Sequence, residues 1–289
     1  MPCGSEPVPP TPEVMRVETF SIRMLPGALR VAAEHRRAGQ QLDNLCAAHW
    51  VAILLRADGF PVDPEGAAIA AGTVLPEGDP RAFVPSGVKP NEDYRAAIPY
   101  AERPEEGGTP APGMIEAVES LSQGRRALVP LRASWTSERV IDVLDSCLAH
   151  PAWEAIPLAN VRTGRYWGSR LPLGDMVAWL AGRELEPPVP EWDVGHVVSL
   201  AGTVDGPDRS LVIVRDSYPA LGWDGHHFQP PEALAAALER GDGNEGGVAL
   251  YVSADDRAEV ERVVKDMGFD VAAWDNGTPW RTSRRKRGP

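Results

Sequence analysis

The strongest constraint on this chain is a pair of apolar runs joined by a four-residue polar turn. GHVVSLAGTV at 195–204 and RSLVIVRD at 209–216 flank DGPD. β-Branched residues fill both runs and a turn dense in Asp, Gly and Pro separates them, so the segment reads as an antiparallel hairpin. RALVPLRA at 126–133 and GGVALYVS at 246–253 read as further strands. The rest of the patterning is helical. Apolar residues recur at helical spacing over 26–39, 44–57, 113–124, 136–150, 171–182, 230–241 and 255–268, with a shorter piece in PEGAAIAAG at 64–72. The expected class is α+β, with helices early, most strands late and a mainly antiparallel sheet.

The punctuation suggests one domain. Residues 1–14 read as a Pro-rich flexible leader, and 281–289, which contain RRKR at 284–287, as a basic solvated tail. A single domain over 15–280 is expected between them. Residues 60–115 are rich in Gly and Pro, and EPPVPEW at 186–192 reads as a stiff linker.

Composition removes several function classes. A 289-residue chain that is 43% apolar can bury a sizeable core. Its net charge of −12 argues against nucleic acid as a partner, because phosphate neutralisation needs Lys and Arg. No run reaches the ~20 apolar residues of a membrane span, so no membrane partner is expected. The N-terminus lacks the apolar stretch of a signal peptide. Three cysteines, an odd and low count, speak against a disulfide framework and for a reducing, cytoplasmic setting. There is no Gly-rich phosphate loop, no dinucleotide fingerprint, no CxxC pair and no HExxH, so neither a cofactor nor a metal is expected. The neighbours His226 and His227 point to opposite sides of an extended chain, which makes a shared metal awkward.

The chemistry is expected at Cys46. It lies near the start of the 44–57 helix, for which Asp43 or Asn44 is a candidate cap. A helix N-terminus and an adjacent imidazole both lower a thiol pKa, and only the thiolate attacks carbonyls. Among six histidines, His196 opens a strand of the hairpin. With the turn centred on Gly206 and Pro207, His196 pairs with position 217, one step from Asp216. Asp216 is therefore placed to hold the imidazole tautomer. Gln40, six residues before Cys46, is expected to share oxyanion stabilisation with the Cys46 backbone N–H. Trp223 and His227, in the loop that follows Asp216, and Trp50 are candidate substrate-binding residues. Trp167 and Trp192 are further candidates for a groove wall. Cys147, on the apolar side of its helix, is read as core.

The order Gln40, Cys46, His196, Asp216, with Gly-His-Val-Val on a strand, resembles the papain-like cysteine peptidases, most closely the branch that processes bacteriocins at double-glycine sites. The resemblance covers 40–59 and 190–252. It implies a papain-like fold with its nucleophile helix packed on the sheet. Cys46 is then the nucleophile, His196 the base, Asp216 its orienter, and Gln40 part of the oxyanion hole. The implied substrate is a peptide or amide, in that branch a ribosomally made precursor peptide. Two departures stand out. Leu45-Cys46-Ala47 replaces the Asp-Cys-Gly usual in that branch, and the long interval from Cys46 to His196 makes 60–190 a large insertion. The same Cys–His pair also suits cofactor-free epimerisation or elimination on a peptide, and an inactive peptide- or partner-binding module is the non-enzymatic alternative, with the acidic body and basic tail compatible with a partner subunit. Product mass separates these outcomes.

Overall fold

The computed structural model describes residues 19–280. The expected leader, the basic tail and Cys3 lie outside the described residues or, for the leader, wholly before them. Within the described residues the chain is a mixed α/β protein built on an open, antiparallel sheet. Its strands are β1 (Ser21–Met24), β2 (Arg126–Leu131), β3 (Ile156–Arg162), β4 (Gly195–Asp205), β5 (Ser210–Arg215), β6 (His226–Gln229) and β7 (Gly247–Ser253). The spatial order is β2-β7-β3-β4-β5-β6, and β1 pairs with the C-terminal half of β4.

The helices are α1 (Ala28–Ala38), α2 (Cys46–Ala57), α3 (Pro64–Ala70), α4 (Ala111–Leu121), α5 (Ser137–Ala149), α6 (Leu173–Leu180), α7 (Pro231–Glu239) and α8 (Arg257–Asp266). None is long and apolar enough to cross a membrane. The helices divide between the two faces of the sheet, and the period-two alternation of each strand says how. Leu128, Leu158, Val197, Ala249 and Tyr251 face a core shared with α2, α3 and α4. Val129, Val161, Val198, Leu250 and Val252 face the other core, shared with α5, α7 and α8. Because both faces are covered, these strands read in sequence as unbroken apolar runs. Residues 47–55 of α2 are all buried, which is why that helix is apolar all the way round.

Residues 60–190 are not a separable insertion. They supply β2 and β3, and β3 lies between β7 and β4 in the middle of the sheet. β3 escaped the sequence reading because Pro157 and Asn160 interrupt its apolar run. β1 and β6 are only four residues long, too short to show an alternation.

The hairpin turn is centred one residue later than expected, with Asp205 paired to Ser210. A bulge between Leu200 and Gly202 then shifts the register, so that Ser199 pairs with Arg215. Gly202 has φ of 148°, and a Cβ there would lie 2.0 Å from the Arg23 carbonyl of β1. Only glycine fits where β1 closes on the bulge.

Candidate active site

Cys46 is the first residue of α2, so the unpaired N–H groups and positive end of the helix face its thiol. Asn44 adopts φ of 63°, a left-handed conformation that asparagine tolerates, and turns the preceding extended segment into the helix. Neither Asn44 nor Asp43 caps α2 through its side chain, for the N-cap residue is Leu45. Asp43 is engaged elsewhere: its carboxylate accepts the Asn91 backbone N–H at 2.9 Å and lies 3.3 Å from the Tyr218 hydroxyl.

The second residue of β4 is His196. Its Nε2 lies 3.1 and 3.2 Å from the two carboxylate oxygens of Asp216, the residue that follows β5. The Cys46 thiol hydrogen-bonds the same ring, and with Nε2 committed to Asp216, Nδ1 is the nitrogen on the thiol side. Asp216 is itself pinned. Its Oδ1 accepts the Tyr218 backbone N–H at 2.9 Å, and its own N–H donates to the Gly225 carbonyl at 2.7 Å. His227 Nε2 stands 3.9 Å from Oδ2 on the far side.

Burial alone raises a thiol pKa. At Cys46 that effect is outweighed by the hydrogen bond and charge of His196 and by the backbone N–H groups of Val197 and Ala47, so the thiol is held below its ordinary value. Burial likewise opposes charge on His196, yet the Asp216 carboxylate outweighs it and raises the imidazole. Asp216, buried but facing His196 and His227, is held well below the usual carboxylate range. The three shifts favour thiolate, imidazolium and carboxylate together.

Cys46 and His196 open onto a cleft of about 510 Å3, with Asp216 buried behind the imidazole. Cys46, His196, Gln41, Trp192, Asn160 and Arg240 line it. The Trp192 ring packs 4.8 Å from His196 and 5.4 Å from Tyr218, both edge to face, and screens the imidazole from water.

Gln40 does not take its expected place, and its neighbour Gln41 stands at the cleft instead. Gln40 turns its amide to the Lys89 carbonyl at 2.8 Å and does not line the cleft. Gln41 is buried and lines it. Its Nε2 donates to the Tyr218 hydroxyl at 3.1 Å, its Oε1 accepts the Ser217 hydroxyl, and its backbone N–H donates to the Ser217 carbonyl at 3.2 Å. Consecutive residues of an extended segment face opposite ways, and here Ser217 and Asn91, distant in sequence, decide which way Gln41 points.

The proposed substrate contacts lie elsewhere. Trp50 is fully buried, with its indole N–H on the Val197 carbonyl at 3.1 Å, so it ties α2 to β4 rather than touching a ligand. His227 is buried behind Asp216, 3.0 Å from Gln229 Nε2 and edge to face with Tyr166. Trp223 is 48% exposed and packs on Phe228, away from the cleft. Trp167 packs against Trp179 in the second core. Of the tryptophans considered, Trp192 alone lines the Cys46 cleft. Gln41, Ser217 and Tyr218 carry no sequence signal beyond adjacency to Gln40 and Asp216.

A second polar cluster lies under Asp216. Arg215 is buried, donates to His35 Nδ1 at 2.9 Å and reaches the His226 ring at 2.7 Å. His35 stacks on Trp50 and meets His49 edge to face. Burial, reinforced by the Arg215 charge, pushes His35 and His226 down to about 4, and burial with neighbouring His35 pushes His49 to about 3. His226 and His227 indeed face opposite sides, one to Arg215 and one to Asp216.

Fold and cleft together define a mixed α/β protein with a Cys–His–Asp constellation at the junction of a buried helix and an antiparallel sheet. The chain belongs to DUF6885, a family of unknown function, whose model matches residues 25–275 and so spans every group described above. No match is found among curated proteins.

Proposed function

We propose that the chain is a papain-like cysteine hydrolase acting on a peptide or amide bond by acyl transfer. The observation that carries this reading is the hydrogen-bonded series from the Cys46 thiol, at a helix N-terminus, through the buried His196 ring to Asp216. An inert structural cysteine has no use for a buried imidazole–carboxylate pair, whose burial is costly unless it serves a charge.

The thiolate attacks the substrate carbonyl carbon and a Sγ–C bond forms, with the negative charge moving to the carbonyl oxygen. The Cys46 backbone N–H and an amide N–H of Gln41, which lines the same cleft, are assigned as the donors to that oxygen. As the C–N bond breaks, the imidazolium of His196 gives its Nδ1 proton to the departing amine. Water then yields a proton to His196 and adds to the thioester carbon. The Sγ–C bond breaks and the carboxylic acid leaves. Asp216 keeps Nε2 protonated throughout and stabilises the imidazolium without itself taking the proton.

The test is the rate of Cys46 alkylation by iodoacetamide as a function of pH, read by peptide mass spectrometry in the parent and in His196→Ala. The expected outcome is reaction well below pH 8 in the parent and a shift toward the behaviour of an ordinary thiol, near 8.5, in the variant. A Cys46 that behaves alike in both removes the pair and the proposal with it.

A further inference from the structure

The three-residue segment Asp216-Ser217-Tyr218 touches both halves of the site. Asp216 holds His196, while Ser217 and Tyr218 hold the side-chain amide of Gln41. The directions of these bonds are fixed from the Asp43 end, because an ionised carboxylate only accepts whereas the hydroxyls and the amide can each donate or accept. The Ser217 hydroxyl donates to Gln41 Oε1, and the amide nitrogen lies on the Tyr218 side. There it donates to the Tyr218 oxygen at 3.1 Å, and the tyrosine proton must go to another acceptor. Asp43 Oδ1, 3.3 Å away, is that acceptor, and an ionised carboxylate cannot donate in return. All four residues are buried.

We infer that Tyr218 is a positioning residue whose hydroxyl, polarised by Asp43, fixes the rotational state of the Gln41 amide so that its second N–H faces the cleft. The chain of donors runs one way only, from Gln41 through Tyr218 to Asp43. Replacing Asp43 with a group that can donate allows the Tyr218 hydroxyl to reverse and turn its proton toward Gln41. The amide then flips, and its carbonyl oxygen meets the developing oxyanion in place of an N–H. The backbone N–H of Tyr218 also anchors Asp216 Oδ1, so one residue ties the carboxylate that orients the general base to the oxyanion donor. The inference rests on the acyl-transfer reading above.

Two probes of the same thiol separate the two claims. Iodoacetamide alkylates the thiolate by displacement and forms no oxyanion. p-Nitrophenyl acetate acylates it through a tetrahedral oxyanion and releases nitrophenolate. Both products are quantified on the Cys46 peptide, with Cys46→Ala as the blank. In Tyr218→Phe and Asp43→Asn the ratio of acylation to alkylation is expected to fall by about tenfold or more, while the pH profile of alkylation stays that of the parent. Ser217→Ala frees the amide without touching the tyrosine and is expected to lower the ratio likewise, which keeps the test open if a buried substitution at Tyr218 or Asp43 fails to fold. Unchanged ratios in the folded variants overturn the role of Tyr218 and leave the hydrolase reading standing. A parent Cys46 inert to both probes, or indifferent to His196→Ala, instead overturns the hydrolase reading itself.

Discussion

His196 Nε2 lies 3.1 Å from Asp216 Oδ2, although His196 is on β4, Asp216 follows the end of β5, and neither belongs to the paired part of the hairpin register. Ser199 opposite Arg215 is the last pair between these strands, and beyond it the strands carry His196 and Asp216 into the same buried pocket. Asp216→Asn keeps the shape and removes the charge that raises the imidazole. Acyl transfer is expected to fall by about 10³ to 10⁴, and the alkylation profile of Cys46 to move toward higher pH. An unshifted profile in Asp216→Asn separates Asp216 from the chemistry.

Gln40→Ala is expected to leave acylation of Cys46 unchanged, because the Gln40 amide is spent on the Lys89 carbonyl. Gln41→Ala is expected to slow it by about 10² or more. The same ester assay reads both, and equal losses in the two variants contradict the placement of the glutamines.

Trp50 makes its contribution to stability. Trp50→Phe loses the indole hydrogen bond to Val197 and leaves a buried carbonyl unpaired, an expected cost of about 1–3 kcal/mol. Trp50→Ala adds a cavity and is expected to cost about 3–5 kcal/mol. Urea unfolding midpoints measure both. A Trp50→Phe variant as stable as the parent shows that the hydrogen bond contributes nothing.

Acid is expected to destabilise the fold within a defined window. His35, His49 and His226 are held at about 4, 3 and 4 in the folded chain, below the ordinary histidine value of 6.5. Below about 6.5 the unfolded chain therefore binds protons that the folded one refuses, so their contribution is complete above that pH and is lost as pH falls toward 4. His196 works in the other direction. Its raised value gives stability that is present below 6.5 and lost as pH climbs through the folded value, so it adds no slope in the acid window. Asp216 is lowered from 3.8 and acts only below that. Unfolding free energies at pH 7 and pH 5 test this. The loss between them is expected to shrink in His49→Phe, and a pH-independent stability contradicts the assignment.

Cys147 is expected to stay unmodified in the folded protein. It is buried among Val143, Leu144 and their neighbours, and burial pushes its thiol up to about 12. Mass spectrometry after alkylation at pH 7 should find Cys46 labelled and Cys147 labelled only in denaturant. Equal labelling under native conditions shows that α5 opens.

The sequence by itself determined the elements whose signals are local. The hairpin from 195 to 216, the strand at 247–253 and every helix longer than seven residues follow from apolar period, turn chemistry and length. It also brought His196 near Asp216, because a hairpin turn converts sequence distance into strand register, whereas Cys46 reaches them only through the packing of α2 on β4. What only the tertiary structure decided is set by residues far apart in the chain. β3 became a central strand because β4 and β7 supply its ladder, despite Pro157 and Asn160. Trp50 went into the core because α2 is enclosed on all sides. Gln41 rather than Gln40 faces the cleft because Ser217, Tyr218 and Asn91 reach it from positions 50 to 177 residues away, and no local pattern records a partner at that distance.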